Sequence, residues 1–204
     1  MFEMIMAGGW FMWPILLCSV ASLAIIGERL WSLQRKNILP AALLTQVQRW
    51  LEQNQLDTTH LTALRNSSPL GKILAAGLIN RNHPREIILE AIEYAGRHTI
   101  PELNRYLRTL GSIAAIAPFL GLFGTVVGMI EMFSGIGEHG VGDPGIIAHG
   151  IAVALINTAG GLAVAIPSLL FYRYFRGRVY DLAIEMEEEA MLLVEILQGR
   201  RERG

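Results

Sequence analysis

Cysteine is nearly absent from this sequence: Cys18 is the only one in 204 residues, so no disulfide can form within the chain. It lies inside an apolar run, where a free thiol acts as a small apolar filler. Charge is thin at 17% of residues and balanced to a net −1, which excludes the basic footprint of a nucleic-acid-binding protein. Neither residues 1–9 nor residues 135–147 contain a lysine or arginine. A cleaved secretory leader needs a basic start, and Glu3 is the only charge ahead of Trp10, so the first apolar run reads as a span and not as a leader. No phosphate-binding glycine loop, nucleophile–base set or metal-ligand spacing is present. His60, His83, His98, His139 and His149 show no i, i+4 pairing and read as solvated residues in loops or at helix ends. The sequence therefore predicts no enzyme activity, no metal and no cofactor.

What the chain has in abundance is apolar surface, with 52% hydrophobic residues. Two charge-poor runs, LGSIAAIAPFLGLFGTVVGMIEMF (110–133) and AHGIAVALINTAGGLAVAIPSLLFY (148–172), are joined by a linker with five glycines. Each run has about the 20 apolar residues needed to cross a ~30 Å hydrocarbon core, so the pair reads as a membrane helical hairpin. A third run, WFMWPILLCSVASLAIIGERLW from Trp10, carries tryptophans near both ends as interface anchors.

The 17 basic residues set the orientation. One ends the first run at Arg29, ten lie between Arg35 and Arg108, and six follow from Arg173. By the positive-inside rule this predicts a periplasmic N-terminus over 1–9, a first transmembrane helix over 10–31 and a cytoplasmic helical region over 32–108. A second transmembrane helix over 109–134, a periplasmic turn over 135–147, a third over 148–172 and a cytoplasmic C-terminal helix over 173–204 complete the organisation. The fold class is an all-α membrane protein with three transmembrane helices and long helices extending into the cytosol.

Small residues recur along the hairpin at helical spacing. Ala117, Gly121, Gly124 and Gly128 mark the first run, and Ala154, Thr158, Gly161 and Ala165 mark the second. In lipid such stripes let helix backbones approach closely, so Gly121, Gly124, Gly128, Ala154, Gly161 and Ala165 are the expected packing positions, within one subunit or between subunits of an oligomer. Pro118 and Pro167 are expected kinks. Neither run has a deep ionisable residue; Glu131 and His149 sit at one level beside the turn. The deep polar groups are Ser112, Thr125, Asn157, Thr158 and Ser168. Thr125 and Thr158 lie near mid-depth and either face a shared polar lumen or bond back to their own helix carbonyls. If protons pass here, the titrating carboxylate comes from a partner chain.

Outside the runs, Leu43, Leu44, Val47, Trp50 and Leu51 give one amphipathic helix, and Leu70, Ile73, Leu74 and Leu78 give a second behind Pro69. DTTHLTALRNSS reads as a polar separator between them. From Pro84 the helical pattern runs into the second span with Pro101 as the one expected kink. After Pro167 nothing stops the last helix before Gly199 except Gly177; Val179, Leu182, Ala183, Met186, Ala190, Leu193, Val194 and Leu197 keep its apolar face, and its glutamates form a solvated face.

APFLGLFGTVVGMI (117–130) followed by GIAVALINTAGGLAVAIPS (150–168) resembles the proton-channel motif of the MotA/TolQ/ExbB family. The loop residues Asp143–Gly145, the basic exit YRYFRGRV and the early WPILLCSV…ERLWSL are similar to its ExbB branch. The resemblance covers nearly the whole chain. It implies an ion-motive subunit of the inner membrane, forming a homo-oligomeric ring (a pentamer) in the lipid bilayer around a dimer of ExbD. ExbD's aspartates take up and release protons, and the motor energises TonB for import of iron chelates or vitamin B12. The family's two pore threonines fall on Thr125 and Thr158, which favours the lumen over self-bonding. The TolQ branch, working with TolR and TolA in envelope maintenance, is the alternative, followed by a non-conducting membrane scaffold. MotA relatives have four spans and a longer chain. One departure stands out: many ExbB and TolQ proteins have a glutamate where this chain has Val153.

Overall fold

A computed structural model of the chain describes residues 9–53, 55–139 and 144–201. The periplasmic N-terminus expected over 1–9 thus lies, except for Gly9, outside the described residues. Among those described there are eight helices and no strand: α1 (Met12–Ser32), α2 (Arg35–Ile38), α3 (Leu43–Glu52), α4 (Thr58–Ser67), α5 (Pro69–Ile79), α6 (Arg85–Leu103), α7 (Leu107–His139) and α8 (Pro144–Arg201). Three helical stretches are long and apolar enough to cross a membrane, Met12–Ser32, Arg85–Gly135 and Ile147–Gly199. The chain is an all-α membrane protein.

Two compact units divide the helices. The first joins Met1–Arg29 to Tyr106–Tyr174, and the second joins Leu30–Arg105 to Phe175–Gly204. In the second unit the apolar stripes read from the sequence are the core. Leu43, Val47 and Leu51 of α3, Leu70, Ile73, Leu74 and Leu78 of α5, and Leu182, Met186, Leu193 and Val194 of α8 are all buried. Glycine at 77 brings α5 close to its neighbours, since a Cβ there would lie 3.0 Å from Ile92 Cδ1 and 3.3 Å from Leu193 Cδ2. On the polar face of α8, Glu187, Glu188 and Glu195 are exposed, while Glu185 accepts from the Arg35 guanidinium at 2.6 Å.

Three local expectations are revised. The polar separator is itself a helix, α4, because Asp57 caps it: its Oδ1 accepts the Thr59 amide at 3.2 Å and the Thr58 hydroxyl at 2.8 Å. Leu64 is the one fully buried side chain that this polar helix contributes. Ser68 then starts α5, accepting the Gly71 amide at 3.0 Å, with Pro69 at the first helical position. The helix from Pro84 also does not run on into the hairpin. Pro101 sits in the last turn of α6, which ends at Leu103, and the Asn104 side chain donates to the Ile100 carbonyl at 3.1 Å. Two residues on, Tyr106 adopts φ +63°, a left-handed conformation that a non-glycine side chain rarely takes. Its ring lies under the guanidinium of Arg29, 5.4 Å from the ring centroid. Finally, His98 lies inside a helix, and His60, at a helix end, is not fully solvated. His60 is half-buried in α4 with its ring 4.8 Å from Trp50, and His98 meets Tyr94 edge-on within α6.

Two substitutions separate crowded from open glycines in this unit. A Cβ on Gly71 would fall 2.2 Å from the Leu64 carbonyl oxygen, so Gly71→Ala is expected to cost roughly 1–3 kcal/mol in thermal unfolding of the full chain. Gly96 lies inside α6 with nothing within 4 Å of an added Cβ, and Gly96→Ala is expected to stabilise by about 0.5–1 kcal/mol. The Thr58 hydroxyl, with the Thr59 amide, holds the Asp57 carboxyl below the ordinary carboxylate value. The cap's contribution is therefore complete above the unfolded-state value and is lost as pH falls through the lower folded one. Protection of the amides at the start of α4, taken as exchange relative to the intrinsic rate at each pH, is expected to fall in acid in the wild type and to be low at every pH in Asp57→Ala.

Candidate functional site

The first unit is built on α7 and α8 lying antiparallel with their backbones almost touching. A Cβ added at Gly161 would fall 2.5 Å from the Ala117 carbonyl oxygen and 3.0 Å from the Gly121 Cα. One added at Gly121 would fall 2.8 Å from the Asn157 carbonyl oxygen and 3.1 Å from the Thr158 Cα. At Gly124 the neighbour is the Asn157 side chain, whose Cβ, Cγ and Nδ2 lie 2.7–2.9 Å from the added atom. Towards the turn the fit loosens at Gly128, whose nearest neighbours, the Ala154 amide and Gly150 carbonyl, stand off at 3.4 Å. Beyond it Gly150 abuts Met132, with Met132 Cβ at 2.6 Å from an added atom. The contacts step down α7 as they step up α8, so the two small-residue stripes face each other within one chain. Ala154 and Ala165 are buried as well.

Both helices continue through their prolines, Pro118 inside α7 and Pro167 inside α8. The turn is shorter than the 135–147 read from the sequence, because α7 reaches His139 and α8 begins at Pro144, a residue suited to a first helical position. Residues 140–143 lie outside the described residues.

Helix α1 completes the unit. Phe11, just ahead of it, meets Phe123 edge-on at 5.0 Å between ring centroids, and an atom added to Gly160 would touch Met12 and Ile15. Further along, the Ser22 and Ser168 hydroxyls are 2.6 Å apart and buried. Ser168 spends its one proton on the Val164 carbonyl at 2.6 Å, so Ser22 is the donor of the pair. This interhelical bond was hidden in the sequence. Ser168 stood out as a deep polar group, but Ser22 looked like one small residue among many in the first run.

Thr125 and Thr158 fall at one level of the hairpin, each the chain neighbour of a residue in the Gly124–Asn157 contact. Both are half-buried. The Thr125 hydroxyl donates to the Leu122 carbonyl at 2.6 Å, the self-bonded arrangement, and its oxygen keeps lone pairs for a further donor. Asn157 was read from the sequence only as one of several deep polar groups. It is the most enclosed of them apart from Ser168, at 1% exposure, and its Oδ1 is buried without a hydrogen-bond partner. An unpaired amide oxygen in an apolar surround is costly, which marks the position as more than filler. Around these polar groups the outward faces of α7 and α8 are apolar, with Phe119, Phe133 and Leu155 each about two-thirds exposed or more (70%, 66% and 65%). No group of three or more metal-ligating side chains occurs among the described residues.

The glycine contacts make a graded prediction. Gly161→Ala and Gly121→Ala push a methyl into backbone and are expected to lower thermal stability by roughly 1–3 kcal/mol, whereas Gly128→Ala meets ordinary contact distances and is expected to be near neutral. Ser22→Ala leaves Ser168 its bond to Val164 and is expected to cost about 0.6 kcal/mol, the usual size of an interhelical bond in a membrane. Thermal unfolding in a single detergent checks all four.

Residues 65–188 match the MotA/TolQ/ExbB proton channel family, a segment that takes in most of α7 and α8 and more than half of the chain. Among individual proteins, the chain is 42% identical over 87 residues to a putative biopolymer transport protein ExbB-like 1 of Helicobacter pylori, covering 43% of this chain and 46% of that one. It is 30% identical over 161 residues to biopolymer transport protein exbB1 of Vibrio cholerae (77% of this chain, 71% of the relative). To biopolymer transport protein ExbB of Salmonella typhimurium it is 32% identical over 171 residues (74% and 70%). The chain spans about half the length of the Helicobacter relative and more than two thirds of the other two. With a matching segment of this extent centred on the glycine-packed hairpin, the chain belongs to the MotA/TolQ/ExbB proton channel family.

Proposed function

We propose that the chain is a proton-channel subunit of the inner membrane, with its N-terminus periplasmic and its C-terminus cytoplasmic. It acts with a dimer of ExbD inside a ring of its own copies, a pentamer, to energise TonB for import of iron chelates or vitamin B12. It is a non-enzyme: its output is mechanical. The observation that carries the reading is the level shared by Thr125 and Thr158, set by the Gly121 and Gly124 contacts with Asn157 and Thr158. Two hydroxyl oxygens at one depth of an otherwise apolar hairpin provide acceptors for water without a titrating group, so the carboxylate that binds the proton belongs to the partner in the lumen. The names of the relatives, biopolymer transport proteins of the ExbB type, support the same assignment.

A second reading has one observation in its favour. Because the Thr125 hydroxyl is already bonded to Leu122, a non-conducting scaffold needs nothing further from it. Valine replaces threonine with almost the same shape and no hydroxyl, so it separates the two readings. Thr125→Val and Thr158→Val are each expected to co-purify with ExbD at wild-type levels and to reduce growth on a scarce iron chelate at least about tenfold, the scale of losing a positioned acceptor in a transfer path. Full growth by both variants favours the scaffold. Capture of TolR in place of ExbD moves the assignment to the TolQ branch.

A further inference from the structure

Where α7 and α8 approach the turn, their contact opens into a cavity of about 340 Å³. Its walls carry two ionisable side chains from opposite helices, Glu131 of α7 and His149 of α8, and its remaining surface includes Gly128, Met132, Gly150 and Val153. Among the described residues that line it, no other is ionisable. Both Glu131 and His149 are exposed, and Val153 is half-buried. Gly128 and Gly150 line it without side chains of their own.

The cavity points towards a second feature. His149, Val153 and Asn157 follow one another at intervals of four residues, which places them on one face of α8. On α7, Glu131, Gly128 and Gly124 keep the matching spacing of three and four. The ladder that begins in the cavity therefore ends at the Gly124–Asn157 contact, where the buried Asn157 Oδ1 has no partner. From His149 to Asn157 is about 12 Å along the helix. An ionisable pair at the open end and an orphaned acceptor at the closed end are independent observations that agree on one ligand, water carrying a proton.

We propose that Glu131 and His149 form an aqueous, cation-gathering mouth for protons, built within a single subunit between α7 and α8. Glu131 supplies the negative charge that concentrates hydronium. His149 takes a proton from hydronium, releasing water, and returns it to the next water in the cavity. Val153 lies one helical turn beyond His149 and separates the mouth from Asn157, whose amide oxygen offers the first acceptor beyond it and does not itself titrate. The proposal rests on the proton-channel reading above, and its test does not depend on proton flux.

The full chain in membrane vesicles, with Cys18→Ser to remove the native thiol, carries Val153→Cys or, in parallel, Met132→Cys. Cationic and anionic methanethiosulfonate reagents of equal size are applied to each face in turn. Labelling is expected from one face only, with the cationic reagent about tenfold faster at pH 8, the scale of electrostatic focusing in a charged cleft. Glu131→Gln abolishes the preference, whereas His149→Gln leaves it in place. If neither cysteine labels, or if the preference survives Glu131→Gln, the mouth does not exist. Vesicles that label as expected while the chain supports no ExbD-dependent growth would overturn the motor reading and leave the cation-gathering mouth in place.

Discussion

The membrane unit depends on a backbone-to-backbone contact. Lipid gives helices no hydrophobic reason to associate, so α7 and α8 hold together through dispersion at short range and through the polar groups that close approach brings together. Glycine at 121 and 161 lets the Cα of one helix sit within reach of the carbonyls of the other. The other features of the hairpin follow from that separation: the level of the two threonines, the enclosure of Asn157, and the opening towards the turn where the fit relaxes at Gly128.

The second unit follows a different rule. Its helices bury leucine, isoleucine and methionine against one another as in a soluble bundle, and its polar capping is explicit at Asp57 and Ser68. One chain thus applies two packing chemistries, small residues in the unit that holds the apolar hairpin and large aliphatic ones in the other. Helix α8 changes from one to the other along its length, from Ala154, Gly161 and Ala165 to Phe175, Leu182 and Leu193.

Much of this was legible in the sequence because both chemistries are periodic. The stripes at 70–78 and 179–197 predicted the buried faces, with Ala183 alone only half-buried, and the small-residue spacing pointed to the hairpin contact. Features fixed by single side chains were not legible. Helix α4 has too few apolar residues to show a period, and its existence rests on the Asp57 cap. The end of α6 depends on how Asn104 and Tyr106 satisfy the chain after Pro101, which no pattern encodes. For the candidate site, Thr125 and Thr158 came from a motif, while Asn157 gained its importance only from enclosure. Glu131 and His149 could be placed at one level from the sequence, but not in one cavity.

The hydroxyl pair between α1 and α8 also bears on how the protein is made. Ser22 and Ser168 are separated by 146 residues, so Ser22 leaves the ribosome long before its partner exists. At the usual pace of synthesis the delay is roughly 7–30 s. During that interval α1 waits in the bilayer with a hydroxyl that only its own backbone can satisfy. The bond to Ser168 is then an exchange made late, when α8 arrives with an acceptor already oriented by Val164. The first span is therefore a provisional resident of the membrane until α8 gives it its final address.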